Sequence, residues 1–73
     1  MTIEILAPLS GKVLLLSVNV GDRVEEDEEI MVIEAMKTET PVFTPCDGTI
    51  TEVRVTGEDE VTEKDILAIV DPE

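Results

Sequence analysis

Apolar residues lie in short runs along this chain, and their spacing within each run is typical of strands. Ile3, Ile5 and Ala7 alternate with polar or boundary positions, and a second strand-like run extends over residues 12–20. Turn-forming glycine, proline and aspartate separate the runs, and no stretch keeps an apolar period of 3.6 residues. This pattern predicts an all-β barrel or sandwich of short strands.

Further apolar runs follow at close intervals through the rest of the chain. Val24 precedes an acidic run, residues 25–29, that we expect to be a solvated loop. Strands are predicted at 30–33 and 40–43, on either side of the midpoint, then from Ile50 to Val55 and finally at 66–70. Every predicted element is short enough for a small antiparallel fold.

The second half of the chain repeats the first at an offset of 37 residues. Proline, glycine and apolar positions keep step: Pro8 with Pro45, Gly11 with Gly48, Val13 with Ile50, Leu16 with Val53, Val24 with Val61 and Ile30 with Leu67. Only the turn glycines, Gly21 and Gly57, slip by one residue. The repeat predicts two copies of a four-strand motif packed about a pseudo-twofold axis, with the chain ends close together, opposite the central hairpin.

Composition and charge exclude several classes of function. The chain has 73 residues, with 18 acidic and 5 basic side chains and a formal net charge of −13, which argues against nucleic-acid binding. No histidine is present and Cys46 is the only cysteine, so neither a usual zinc site nor a histidine-based active site can be built. We expect a single small domain, residues 1–73, with no catalytic residues of its own.

A lysine lies at the midpoint, where the two copies of the repeat meet. Residues 34–39 read EAMKTE between two predicted strands, which places Lys37 at the tip of a hairpin. A lysine in a turn is most often only solvated, so its neighbours must carry any functional interpretation.

Those neighbours provide a specific resemblance. Glu34, Ala35, Met36 and Lys37 resemble the biotin attachment motif of biotin carboxyl carrier proteins and other biotinyl domains. The resemblance covers nearly the whole chain, including the segments 7–11, 20–24, 45–48 and 61–67. It implies a flattened β-barrel of two four-stranded antiparallel sheets with pseudo-twofold symmetry, and biotin linked covalently through an amide to Lys37. No residues are inserted before the Gly21-Asp22 turn, so the chain is similar to the thumbless carriers.

The family's function is that of a carrier without catalysis. By resemblance, a biotin protein ligase attaches biotin, and the arm moves carboxybiotin between a biotin carboxylase or decarboxylase site and a carboxyltransferase site. The residues beside Lys37, namely Glu34, Ala35, Met36 and Thr38, would serve recognition of the tip. No apolar run is long enough to cross a bilayer and no secretory signal is seen, so we expect a cytoplasmic protein that is not inserted in a membrane.

Two alternatives remain open from the sequence. Related lipoyl domains usually have aspartate before the lysine, which Met36 opposes, but threonine after the lysine is common in them, as at Thr38. The chain could therefore be a lipoyl carrier of an acyl- or aminomethyl-transfer complex, or an unmodified β-barrel that acts as an interaction module.

Cys46 takes the place of Leu9 in the repeat, so we expect a small buried hydrophobe there.

Overall fold

A computed structural model describes residues 1–73 and contains eight strands and no helix. The strands are β1 (Ile3–Leu6), β2 (Gly11–Leu16), β3 (Arg23–Val24), β4 (Glu29–Ala35), β5 (Thr38–Phe43), β6 (Gly48–Val53), β7 (Glu60–Val61) and β8 (Ile66–Pro72). They form two four-stranded antiparallel sheets, ordered β1-β8-β6-β3 and β5-β4-β2-β7. The predicted all-β class and the two four-stranded sheets are confirmed, and the flattened barrel-sandwich fits this arrangement.

The repeat in the sequence is a repeat in the backbone. Adding 37 to the bounds of β2, β3 and β4 gives those of β6, β7 and β8. Ile3 pairs with Val70, and their equivalents in the repeat, Thr40 and Ile33, pair with each other in the same way. The strand order of one sheet also becomes that of the other when each strand is replaced by its equivalent in the repeat. The predicted pseudo-twofold is therefore present down to the strand register.

Both halves contribute equivalent side chains to one apolar core. Twelve of its 14 buried members fall into symmetry-related pairs, namely Ile5 with Val42, Val13 with Ile50, Val24 with Val61, Ile30 with Leu67, Met31 with Ala68 and Ile33 with Val70. Cys46 is half-buried and packs against this core, as does its counterpart Leu9, so the expected hydrophobic role holds while its burial is partial.

The predicted strand at 12–20 is too long. β2 ends at Leu16, and the chain then leaves the sheet, although Val18 remains buried. The pairing of β2 with β4 shifts between Val13 and Leu15, which marks a bulge that lets Leu14 and Leu15 both face outward. Because residues 13–16 are apolar throughout, the sequence gives no sign of the bulge. Val18 and Val20 continue an alternating apolar pattern, so the sequence does not indicate that the strand ends at Leu16.

The two chain ends are close together, as the repeat predicts. β1 starts beside the end of β8, with Ile3 paired to Val70. The pseudo-twofold relates this place to the hairpin that joins β4 to β5, since it exchanges β4 with β8 and β5 with β1. The hairpin and the chain ends thus occupy symmetry-related places in the fold.

Candidate functional site

Strands β4 and β5 form the central hairpin at the midpoint of the chain, and their ladder is the longest between any two strands of the structure. Its strands pair continuously from Met31 and Val42 up to Ala35 and Thr38, which close the ladder. Only Met36 and Lys37 remain between the strands. The lysine is therefore held at the apex by a short and well-paired support.

The two apical residues have an unfavourable backbone conformation. Met36 has φ of 51° and Lys37 has φ of 65°, and the two-residue β-turns that fit the twist of a hairpin require such positive values. Glycine and asparagine are the residues that usually meet this demand. Non-glycine residues in the left-handed region cost about 1–3 kcal/mol each and concentrate at functional sites. The turn thus retains two side chains at an energetic cost.

Both apical side chains point into solvent. Met36 is 97% exposed, although methionine is usually a buried residue, and Lys37 is also exposed. The structure contains two ion pairs, Arg23 with Glu73 and Arg54 with Glu52, so the Lys37 amine is not held by a carboxylate. An unpaired amine at an exposed apex can reach a reacting carbonyl carbon on another protein.

The paired positions just below the tip are charged. Glu34 pairs with Lys12 of β2 on one side and with Glu39 of β5 on the other, and all three are exposed. A shallow groove of about 420 Å³ runs beside the tip and is lined in part by Lys12, Glu34, Ala35 and Met36. All five predicted site residues, from Glu34 to Thr38, therefore lie together at the tip and its first paired positions.

Gly11 supports this end of the hairpin and was not among the predicted site residues. A Cβ atom at Gly11 would lie 2.5 Å from the carbonyl oxygen of Glu34 and 2.8 Å from Cγ2 of Ile33. Only glycine therefore lets β2 lie so close to the end of β4. The sequence held one signal for it, the pairing of Gly11 with Gly48 in the repeat, which pointed to structure and not to the site.

A second exposed lysine helps to define what is particular about the tip. Lys64 also has a positive φ, 74°, and lies in the turn between β7 and β8. Its symmetry mate is Asp27, which has the same conformation with φ of 66°, so this turn belongs to the general scaffold. Lys37 differs because the chain has no second turn like its own: its counterpart in the repeat is the gap between the chain ends.

Comparison with known protein families shows the family to which this chain belongs. The family described as biotin-requiring enzyme matches residues 3–70. The chain belongs to this family. As a biotinyl domain it is a carrier of covalently attached biotin and not a catalyst, which confirms the predicted family, cofactor and carrier role.

Individual relatives agree with this assignment. The chain is 38% identical over 67 residues to the mitochondrial methylcrotonoyl-CoA carboxylase subunit alpha of Oryza sativa, and covers 9% of that protein. It is 36% identical over 64 residues to the biotin carboxyl carrier protein of Streptococcus mutans, and covers 49% of it. These matches include 92% and 88% of this chain. Because they include only 9% and 49% of the two relatives, this chain spans half or less of the length of each.

The fold is also found inside a larger solved structure. The urea carboxylase of Kluyveromyces lactis superposes on 97% of this chain with a TM-score of 0.90 and 27% sequence identity, and the matched part is 6% of that enzyme. Since the structure contains strands and no helix, it has no helix that could span a membrane.

Proposed function

We propose that Lys37 is the residue that carries biotin. The observation that supports this assignment is the apex itself: two left-handed residues with exposed side chains in a two-residue turn, one of them a lysine free of any ion pair. In attachment, the neutral amine nitrogen forms a bond to the carbonyl carbon of activated biotin. The activating group leaves with the bonding electrons and the amine loses a proton to a base of the partner enzyme.

The flanking residues would present the tip to that enzyme. Ala35 and Thr38 close the ladder and fix the apex relative to the sheets, while Met36 offers an adaptable apolar contact. Glu34 adds a carboxylate just below the tip. The partner for this step would be a biotin protein ligase.

Biotin accepts a carboxyl group at one active site and releases it at another. We propose that this chain, as one domain over residues 1–73, moves biotin between a biotin carboxylase or decarboxylase site and a carboxyltransferase site of a larger assembly. A tether raises the local concentration of the carried group at each site, which is what a carrier contributes. We further propose a cytoplasmic location, where the free thiol of Cys46 would remain reduced.

The intact mass of the chain after coexpression with a biotin protein ligase tests this proposal. We expect one biotin adduct on the wild type and none on Lys37→Arg, which keeps the positive charge. Lys64→Arg is the matched control, because Lys64 is also exposed and has a positive φ, and this variant should keep the adduct. An adduct that survives in Lys37→Arg, a lipoyl adduct in place of biotin, or no adduct on the wild type would each contradict the assignment.

A further inference from the structure

The two sheets share one backbone design, so differences between their outer surfaces are not required by the fold. Leu15, Val32 and Pro41 are paired across β2, β4 and β5 on the outer side of the sheet that bears the hairpin. The repeat places Glu52, Ile69 and Glu4 at the equivalent positions of the other sheet, with the same pairing. The first row is apolar throughout, and the second has a glutamate at each end.

The apolar row is also exposed. Leu15 is 53% exposed, and its neighbour Leu14, which is equivalent to Thr51 in the repeat, is 44% exposed. Val32 is half-buried and Pro41 is exposed. We call Leu14, Leu15, Val32 and Pro41 the apolar face. Because Thr51, Glu52 and Glu4 fill equivalent backbone positions, folding does not require apolar side chains at 14, 15 and 41. A contiguous exposed apolar patch of this kind is typical of a contact surface.

Carboxylates border the apolar face at both ends. Glu34 and Glu39 pair two residues nearer the hairpin tip, which places them on the same face of the sheet as Val32 and Pro41. Glu29 lies beyond Val32 at the other end of β4. Lys12 is the one basic side chain in this border. A second copy of this chain is a poor match, because each copy has a net charge of −13 and carries the same carboxylates.

We propose that the apolar face is the docking surface for the enzyme component that works on the carried group. The matching surface of that component exposes apolar side chains among lysine or arginine residues. Val32 lies three residues before Ala35, the last residue of β4, which is about 10 Å along the strand at the usual rise, and Lys37 lies in the turn just beyond. Docking there would fix the tip near the partner's active site while leaving the tip itself uncovered. This inference rests on the proposed carrier function.

The decisive experiment uses the biotinylated 73-residue chain as a substrate of purified biotin carboxylase and carboxyltransferase components from the same organism. Leu15→Glu and Pro41→Glu introduce the residues of the equivalent row in the other sheet. For at least one component, we expect each to raise KM about tenfold, which corresponds to about 1.4 kcal/mol, with little change in kcat. Glu52→Leu is the matched control and should leave both constants unchanged. Raising the salt concentration should raise the KM of the wild type.

Biotin content and folding are measured separately for every variant. A wild type without biotin on Lys37 would overturn the carrier assignment itself. Fully biotinylated Leu15→Glu and Pro41→Glu, each with a wild-type melting temperature and wild-type KM for both components, would overturn only the docking surface. Dimers of the wild type that Leu15→Glu converts to monomers, seen by light scattering, would also overturn it, because the face would then be a self-contact.

Discussion

Glu58 has the backbone conformation in the second half of the chain that Gly21 has in the first. Gly21 has φ of 96° and Glu58 has φ of 75°, and their N–H groups donate to the carbonyl oxygens of Ile50 and Val13, which are themselves symmetry mates. The neighbouring Gly57 does not have a positive φ. The slip of the glycines in the sequence is therefore absent from the backbone, and the second turn has a glutamate where the first has a glycine.

This relationship predicts opposite effects of alanine at the two glycines. Neither Gly21 nor Gly57 has a heavy atom within 4 Å of an added Cβ, so space does not separate them and only φ does. Gly21→Ala should lower the free energy of unfolding by about 1 kcal/mol or more, while Gly57→Ala should raise it by about 0.4–1 kcal/mol. Urea unfolding of both variants provides the measurement.

The same urea series should include Glu58→Gly. Relief of the left-handed conformation outweighs the added freedom of the unfolded chain, so we expect a gain of about 0.5–1 kcal/mol. A loss of stability in Glu58→Gly, or equal effects of alanine at Gly21 and Gly57, would contradict the account of these turns.

The hairpin tip should become more stable when its site residues are replaced. The double substitution Met36→Asn with Lys37→Gly creates the sequence that a two-residue turn of this kind prefers. We expect the free energy of unfolding to rise by about 1 kcal/mol, or the melting temperature by about 4–8 °C. Lys37→Ala keeps the left-handed conformation and is the control, with stability near that of the wild type. A double variant less stable than this control would show that the tip is not strained.

A buried methionine in the core and an exposed methionine at the tip should contribute very differently to the stability of the fold. Met31 is fully buried in the core, whereas Met36 is 97% exposed. Met31→Ala should destabilise the fold by about 2–5 kcal/mol, because it removes apolar contacts and leaves a cavity. Met36→Ala should change stability by less than about 0.5 kcal/mol. Comparable losses in both variants, measured by thermal melting, would mean that the tip packs against the domain.

Much of this fold was predictable because the repeat gave a second copy of each element. The positions of Gly11, Val13 and Val24 in the sheets could be checked against Gly48, Ile50 and Val61, and the structure has the same pairing in both halves. The candidate site was predictable for a different reason, since residues 34–38 are contiguous in the sequence and lie in a hairpin that needs no distant contact to form.

Other features were not predictable because they depend on contacts between distant strands. The bulge between Val13 and Leu15 turns two adjacent leucines outward, and an apolar run gives no sign of which members face solvent. The apolar face is formed only when β2, β4 and β5 pair. The proximity of Gly11 to the Glu34 carbonyl likewise depends on how two strands approach each other.

The pseudo-twofold gives this scaffold two equivalent places at which a strand pair could be joined by a short turn. One joins β4 to β5 and bears Met36 and Lys37, and the other lies between the end of β8 and the start of β1, where no turn joins the strands. The architecture thus has no built-in preference for where an acceptor lysine is placed. The order of the strands along the chain alone places a projecting turn between β4 and β5, whereas β8 and β1 meet at the other place only as neighbouring strands of one sheet.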